Sequence, residues 1–88
     1  MVPVELRSKR CLVRVIADIY DADVEGVCLL GFEGVTRPFW GAASATFAVL
    51  QWTPETLIKY PPEAYKLGIA LGEYSLMWEE LEVIEVLE

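Results

Sequence analysis

The sequence predicts a single α+β domain over residues 1–88: a small antiparallel sheet of about four strands with two short helices packed on one face. Three observations carry this. Hydrophobic residues make up 55% of the chain, well placed to fill one core. The run Cys11–Tyr20 alternates with period two and is rich in β-branched residues. Two prolines, Pro54 and Pro62, stand where helices start.

The elements follow in chain order. Residues 2–7 alternate Val2, Val4 and Leu6 against Pro3, Glu5 and Arg7, which suits an edge strand that tolerates proline. It either joins or precedes the strand 11–20, in which Val13, Val15, Ala17 and Ile19 share a face. A further strand is expected over 24–33. With a turn at Ala22-Asp23, Ala17 faces Cys28, Val15 faces Leu30 and Val13 faces Phe32, giving one wholly apolar face. A turn at Glu25-Gly26 keeps the same parity, so both registers stay open. In neither does Cys11 face Cys28, and two reduced thiols are expected.

Residues 34–41 read as a loop, and 44–52 as a strand on the strength of Thr46, Phe47, Val49 and Trp52. Thr53 is the N-cap of a helix over 54–60, which Pro61 and Pro62 terminate. A second helix over 62–71 carries Ala64, Leu67, Ala70 and Leu71 on one stripe and stops at Gly72. Residues 75–87 favour helix by propensity. Their glutamates do not segregate on a helical wheel, and a terminal strand over 81–87 is the better reading.

Composition narrows the chemistry. The chain has no histidine, so it offers no Ser-His or Cys-His nucleophile pair and no imidazole metal ligand. Two cysteines cannot form a four-thiolate zinc site. No Gly-rich phosphate loop occurs. No cofactor is therefore expected, and catalysis would have to rest on carboxylate, tyrosine or lysine groups. Asp21-Ala-Asp23-Val-Glu25-Gly26 resembles half of a calcium loop. Its twelfth position is Phe32 rather than a glutamate and the residues before it read as strand, so an acidic turn is expected in place of a cation site.

Charge is uneven. Residues 1–20 carry Arg7, Lys9, Arg10 and Arg14 against Glu5 and Asp18, a net of +2. The remainder carries Arg37, Lys59 and Lys66 against twelve acids, a net of −9. Such acidity disfavours nucleic acid and anionic membranes. The longest uncharged run, between Arg37 and Glu55, contains two prolines bracketing polar residues and is too short and mixed to span a bilayer. Scarce amides and abundant glutamate fit a thermophilic source. The compartment expected is the cytoplasm, or a virion assembled there.

The leading expectation is a non-catalytic subunit that binds another protein or copies of itself. Arg37, Phe39 and Trp40 form one candidate contact, since an adjacent aromatic pair on a loop rarely buries both rings; the alternative is that they form a lid on the core. Arg7, Lys9 and Arg10 form a second, basic candidate. Glu79, Glu80 and Glu82 form a third. A basic front and an acidic tail would meet head to tail between copies, or pair within one sheet. Two other functions remain: an acidic regulator whose glutamates imitate nucleic-acid phosphates, and a small enzyme or ligand-binding protein that uses carboxylates.

Overall fold

The computed structural model of the chain describes residues 2–88. Its sheet has five strands: β1 (Cys11–Val15), β2 (Glu33–Arg37), β3 (Phe47–Trp52), β4 (Tyr74–Met77) and β5 (Leu81–Val86). They lie in the order β4-β3-β2-β1-β5, and every neighbouring pair is antiparallel. Two short helices, α1 (Pro54–Leu57) and α2 (Pro62–Lys66), occupy the connection from β3 to β4. Single turns of 3₁₀ helix stand at Val4–Leu6, Ala42–Ala45 and Trp78–Glu80. The α+β class, the antiparallel sheet and the two short helices agree with the sequence.

The connectivity forces the sheet to curl. β4 and β5 are at opposite ends of the strand order, which in a flat sheet would separate them by roughly 19 Å. Only Trp78–Glu80 joins them, and a link of four Cα steps spans at most about 14 Å. The sheet therefore wraps around its buried face.

That face is set by register. Val13 pairs with Gly34 and Val83, Gly34 with Trp52, Thr36 with Leu50, and Leu50 with Tyr74. Cys11, Val13, Val15, Leu50, Trp52 and Leu81 are all buried there. Gly34 has a packing reason to lack a side chain: a Cβ would stand 2.5 Å from Leu50 Cδ1 and 2.8 Å from the Gln51 carbonyl. Thr36 is tolerated in this core because its hydroxyl accepts from the Cys11 N–H at 2.9 Å. The outer face carries a charge ladder across three strands, with Arg14 between Glu33 and Glu82 at 2.8 and 3.4 Å. Of the basic front, Arg14 is the residue that pairs with the acidic tail within the sheet, through Glu82 on β5.

Several boundaries differ from expectation. Residues 2–7 are not a strand. Pro3 opens a 3₁₀ turn closed by the Leu6 and Arg7 N–H groups, which tucks Val2 into the core and leaves Val4 outside. The strand expected over 11–20 ends at Val15, and of the strand expected over 24–33 residues 24–32 are irregular apart from a bridge between Tyr20 and Cys28. Val13 faces Gly34, not Phe32, so neither proposed register occurs. Two causes are visible. The Asp21 carboxylate accepts from the Asp23 and Val24 N–H groups, drawing the backbone into a turn. Gly31 then adopts φ +85° and bends the returning arm.

β2 takes in residues 34–37, where a loop was expected, and the loop shrinks to 38–41. The strand expected over 44–52 begins at Phe47, after the turn at Ala42–Ala45. Both helices are shorter than expected. Thr53 does cap α1, its hydroxyl accepting from the Thr56 N–H at 3.2 Å. The terminal strand is β5, and β4 adds an unexpected partner for β3. Both cysteines are free thiols, and burial raises the Cys11 pKa.

Candidate functional site

Two turns of chain face each other at one side of the curled sheet: the N-terminal 3₁₀ turn with Arg7 and Ser8, and the segment from Phe39 to Ala45. Between them lies a cleft of about 330 Å³ lined by Val4, Arg7, Ser8, Phe39, Trp40, Ser44 and Ala45. Arg7 holds its base together. Its Nε donates to the Val2 carbonyl at 3.1 Å, its guanidinium donates to the Ala45 carbonyl at 3.0 Å, and the same group stands 5.7 Å from the centre of the Trp78 ring. Trp78 also ties in, donating from its indole N–H to the Ser44 carbonyl at 2.9 Å.

Trp40 stands on the rim of this cleft and is 93% exposed. Val4, across the cleft, is 73% exposed. Trp52 and Trp78 are buried, and each indole N–H has an acceptor. Trp40 has none among the described residues. Large apolar groups left this open are uncommon unless a partner covers them.

A second cleft, of about 390 Å³, is lined by residues that include Arg10, Val35, Arg37, Pro38, Gln51 and Glu73. Arg37 is bound to Glu73 by a two-pronged pair at 2.6 and 3.1 Å. That pair raises the Arg37 pKa and lowers that of Glu73. The candidates Arg7, Arg10, Arg37, Phe39 and Trp40 are thus gathered around two clefts that flank one loop. Lys9 joins them through the backbone: its carbonyl accepts from the Thr36 hydroxyl at 3.4 Å, and its side chain is exposed.

The three candidate glutamates do not act as one surface. Glu79 lines a small pit beside Arg7 and Trp78. Glu80 is turned back on its own chain, accepting from the Met77 N–H at 2.8 Å. Glu82 belongs to the Arg14 ladder. Two of the three therefore have internal partners.

The acidic turn is also accounted for. Asp21 is 7% exposed and faces inward, while Asp23 and Glu25 are exposed. The Asp21 carboxylate accepts from the Tyr60 hydroxyl at 2.7 Å as well as from two backbone N–H groups at 2.8 and 3.1 Å. Tyr60 in turn accepts from the Trp52 indole at 2.9 Å. The three carboxylates do not converge, and the described residues hold no cluster of three metal-ligating side chains.

This Asp21–Tyr60–Trp52 chain was not anticipated from the sequence. An Asp-x-Asp turn that closes an apolar run was the available signal, since an aspartate there can cap its own backbone and turn inward. Phe32 packs edge-on against both Trp52 and Tyr60, with ring centres 5.5 Å apart. Burial raises the Tyr60 pKa far beyond the ordinary phenol range, reinforced by Tyr74 and the Asp21 carboxylate. Burial likewise raises the Tyr74 pKa. A phenol so disposed stays protonated at neutral pH and is a poor general base. The arrangement is a satisfied polar joint inside the core.

No helix among the described residues is long and apolar enough to cross a membrane. Comparison with protein-family models, with curated proteins and with solved structures finds no match to this chain.

Proposed function

We propose that this protein is a non-catalytic binding module that recognises another protein through the loop Arg37–Trp40 and the basic turn Arg7–Arg10, as one part of a larger assembly. The observation that carries the reading is Trp40, 93% exposed beside an apolar cleft in a small domain whose other two tryptophans are enclosed. Tryptophan and arginine are the residues most enriched where interface energy concentrates. The internal pairing of Arg14 with Glu82 takes one base and one acid out of a head-to-tail charge contact between copies.

The reading is tested by capturing partners from the native source with the wild-type protein and with Trp40→Ala. A partner bound by wild type and lost by the variant supports it, provided the two share one circular dichroism spectrum. Identical capture by both proteins removes it. Light scattering at two salt concentrations checks the self-association form of the same reading.

A further inference from the structure

We propose that the segment seated on the Trp40 surface is acidic: an extended stretch of a partner protein in which aspartate or glutamate flanks one large apolar side chain. This rests on the reading of that surface as a protein-binding site and adds the chemistry of its partner.

The first ground is the distribution of ion pairs. The chain has 14 acids against 7 bases. Among the described residues, ion pairs join Arg14 to Glu33 and Glu82, and Arg37 to Glu73. Among the described residues Arg7, Lys9 and Arg10 have no carboxylate within pairing distance, despite the twofold excess of acid in the chain. Arg7 donates only to backbone carbonyls. Glu5 on the same turn and Glu79 in the neighbouring pit also stop short of it. Of these three cations Arg7 lines the Trp40 cleft, Arg10 lines the cleft at Arg37 and Pro38, and Lys9 lies between them in the chain with its side chain exposed. The rest of the chain carries a net negative charge, which disfavours an acidic segment elsewhere and favours docking at this place.

The second ground is shape. The cleft of about 330 Å³ beside Phe39 and Trp40 has room for one large side chain. Arg10 lines the second cleft, which is built on Arg37 and Pro38 just ahead of Phe39 and Trp40. A segment following the loop from Pro38 to Trp40 thus meets Arg10 in one cleft and Arg7 in the other. The chain's own acidic end is not this segment within one molecule. It is held in the sheet, with Val86 paired to Cys11 and the Leu87 N–H bound to the Arg10 carbonyl.

The test uses the full chain and a short fluorescein-labelled peptide with one phenylalanine flanked by glutamates, read by fluorescence anisotropy. Two control peptides replace the glutamates by glutamine or by lysine. The glutamate peptide is expected to bind saturably, to weaken about tenfold between low and high salt as the exposed charges are screened, and to outbind both controls. Lys9→Glu combined with Arg10→Glu should weaken it by a similar factor or more, and Trp40→Ala should abolish binding. Arg7 is left intact because it holds the cleft together. Absence of saturable binding overturns the proposal, as does equal binding to the charge-reversed variant. Equal binding of the glutamine peptide, still dependent on Trp40, overturns the acidic partner and leaves the Trp40 surface standing. Binding that survives Trp40→Ala overturns both.

Discussion

Trp52 and Trp40 show how one residue type serves two ends. Trp52 lies on the buried face of β3, with its N–H on Tyr60 and its ring against Phe32 and Tyr74. Trp40 lies on a loop with its ring in solvent beside a cleft. The difference arises from the backbone. In a strand the alternation of side chains places every second residue in the core, and a neighbouring hydroxyl can meet the indole N–H. A loop rich in proline and glycine offers no such period, so Pro38, Phe39, Trp40 and Gly41 are placed by the turn rather than by the core. One region therefore contributes stability and the other is free to contribute recognition.

The largest effect expected from this contrast is at Trp52. Trp52→Ala removes a buried ring and leaves a cavity, at a cost of about 3–5 kcal/mol. Small domains are stable by only about 5–15 kcal/mol. The variant should therefore melt far below wild type in a thermal scan followed by circular dichroism. A drop of only a degree or two would mean that the core closes over the gap.

Tyr60 comes next. Tyr60→Phe takes the donor from Asp21 and the acceptor from Trp52 while preserving the ring. Leaving buried polar groups unsatisfied costs about 1–3 kcal/mol, measurable as a shift in the urea midpoint. The same residue sets a pH dependence. The unfolded phenol ionises near pH 10, whereas Tyr60 in the fold is held protonated well above that. Above pH 10 the folded state thus binds more protons than the unfolded one. The contribution is whole below that pH and declines above it, by about 1.4 kcal/mol per pH unit for one such group. Urea unfolding at successive alkaline pH values should show this decline. It should be shallower in Tyr60→Phe, where Tyr74 alone retains a raised phenol.

What the sequence could reveal follows the same division. β1 and β5 were legible because Val13 and Val15, and Leu81 and Val83, recur with period two on the inner face, and β3 was legible from its aromatic and β-branched residues Phe47, Val49 and Trp52. β2 was hidden by Gly34, a residue that reads as a turn but is required where Leu50 and the Gln51 carbonyl approach. β4 was hidden because Tyr74 to Met77 is too short to show a period. The hairpin register depended on Asp21, whose inward turn toward Tyr60 is a tertiary choice that no local pattern records. At the site, Phe39, Trp40, Arg7 and Arg10 could be named as candidates from their chemistry. The cleft shared by Arg7, Phe39 and Trp40 could not, since Val4, Ser44 and Ala45 carry no signal of their own. The glutamates were singled out by number, and the structure gives Glu80 and Glu82 internal partners.

The smallest stability effect is expected at Trp40, and it is the most discriminating. A ring 93% exposed has little packing to lose, so Trp40→Ala should alter stability by no more than about 0.5 kcal/mol. If Trp40 were a lid on the core, its loss would instead cost at least as much as the unsatisfied groups of Tyr60→Phe. Quenching of tryptophan emission by acrylamide provides an independent view. Wild type should show one readily quenched component and a protected remainder from Trp52 and Trp78. Trp40→Phe should lose the quenched component and keep the remainder. An acidic peptide seated over Phe39 and Trp40 should shield that same component without touching the protected one, which places the bound ligand at this loop rather than at the Arg14 ladder on the outer face.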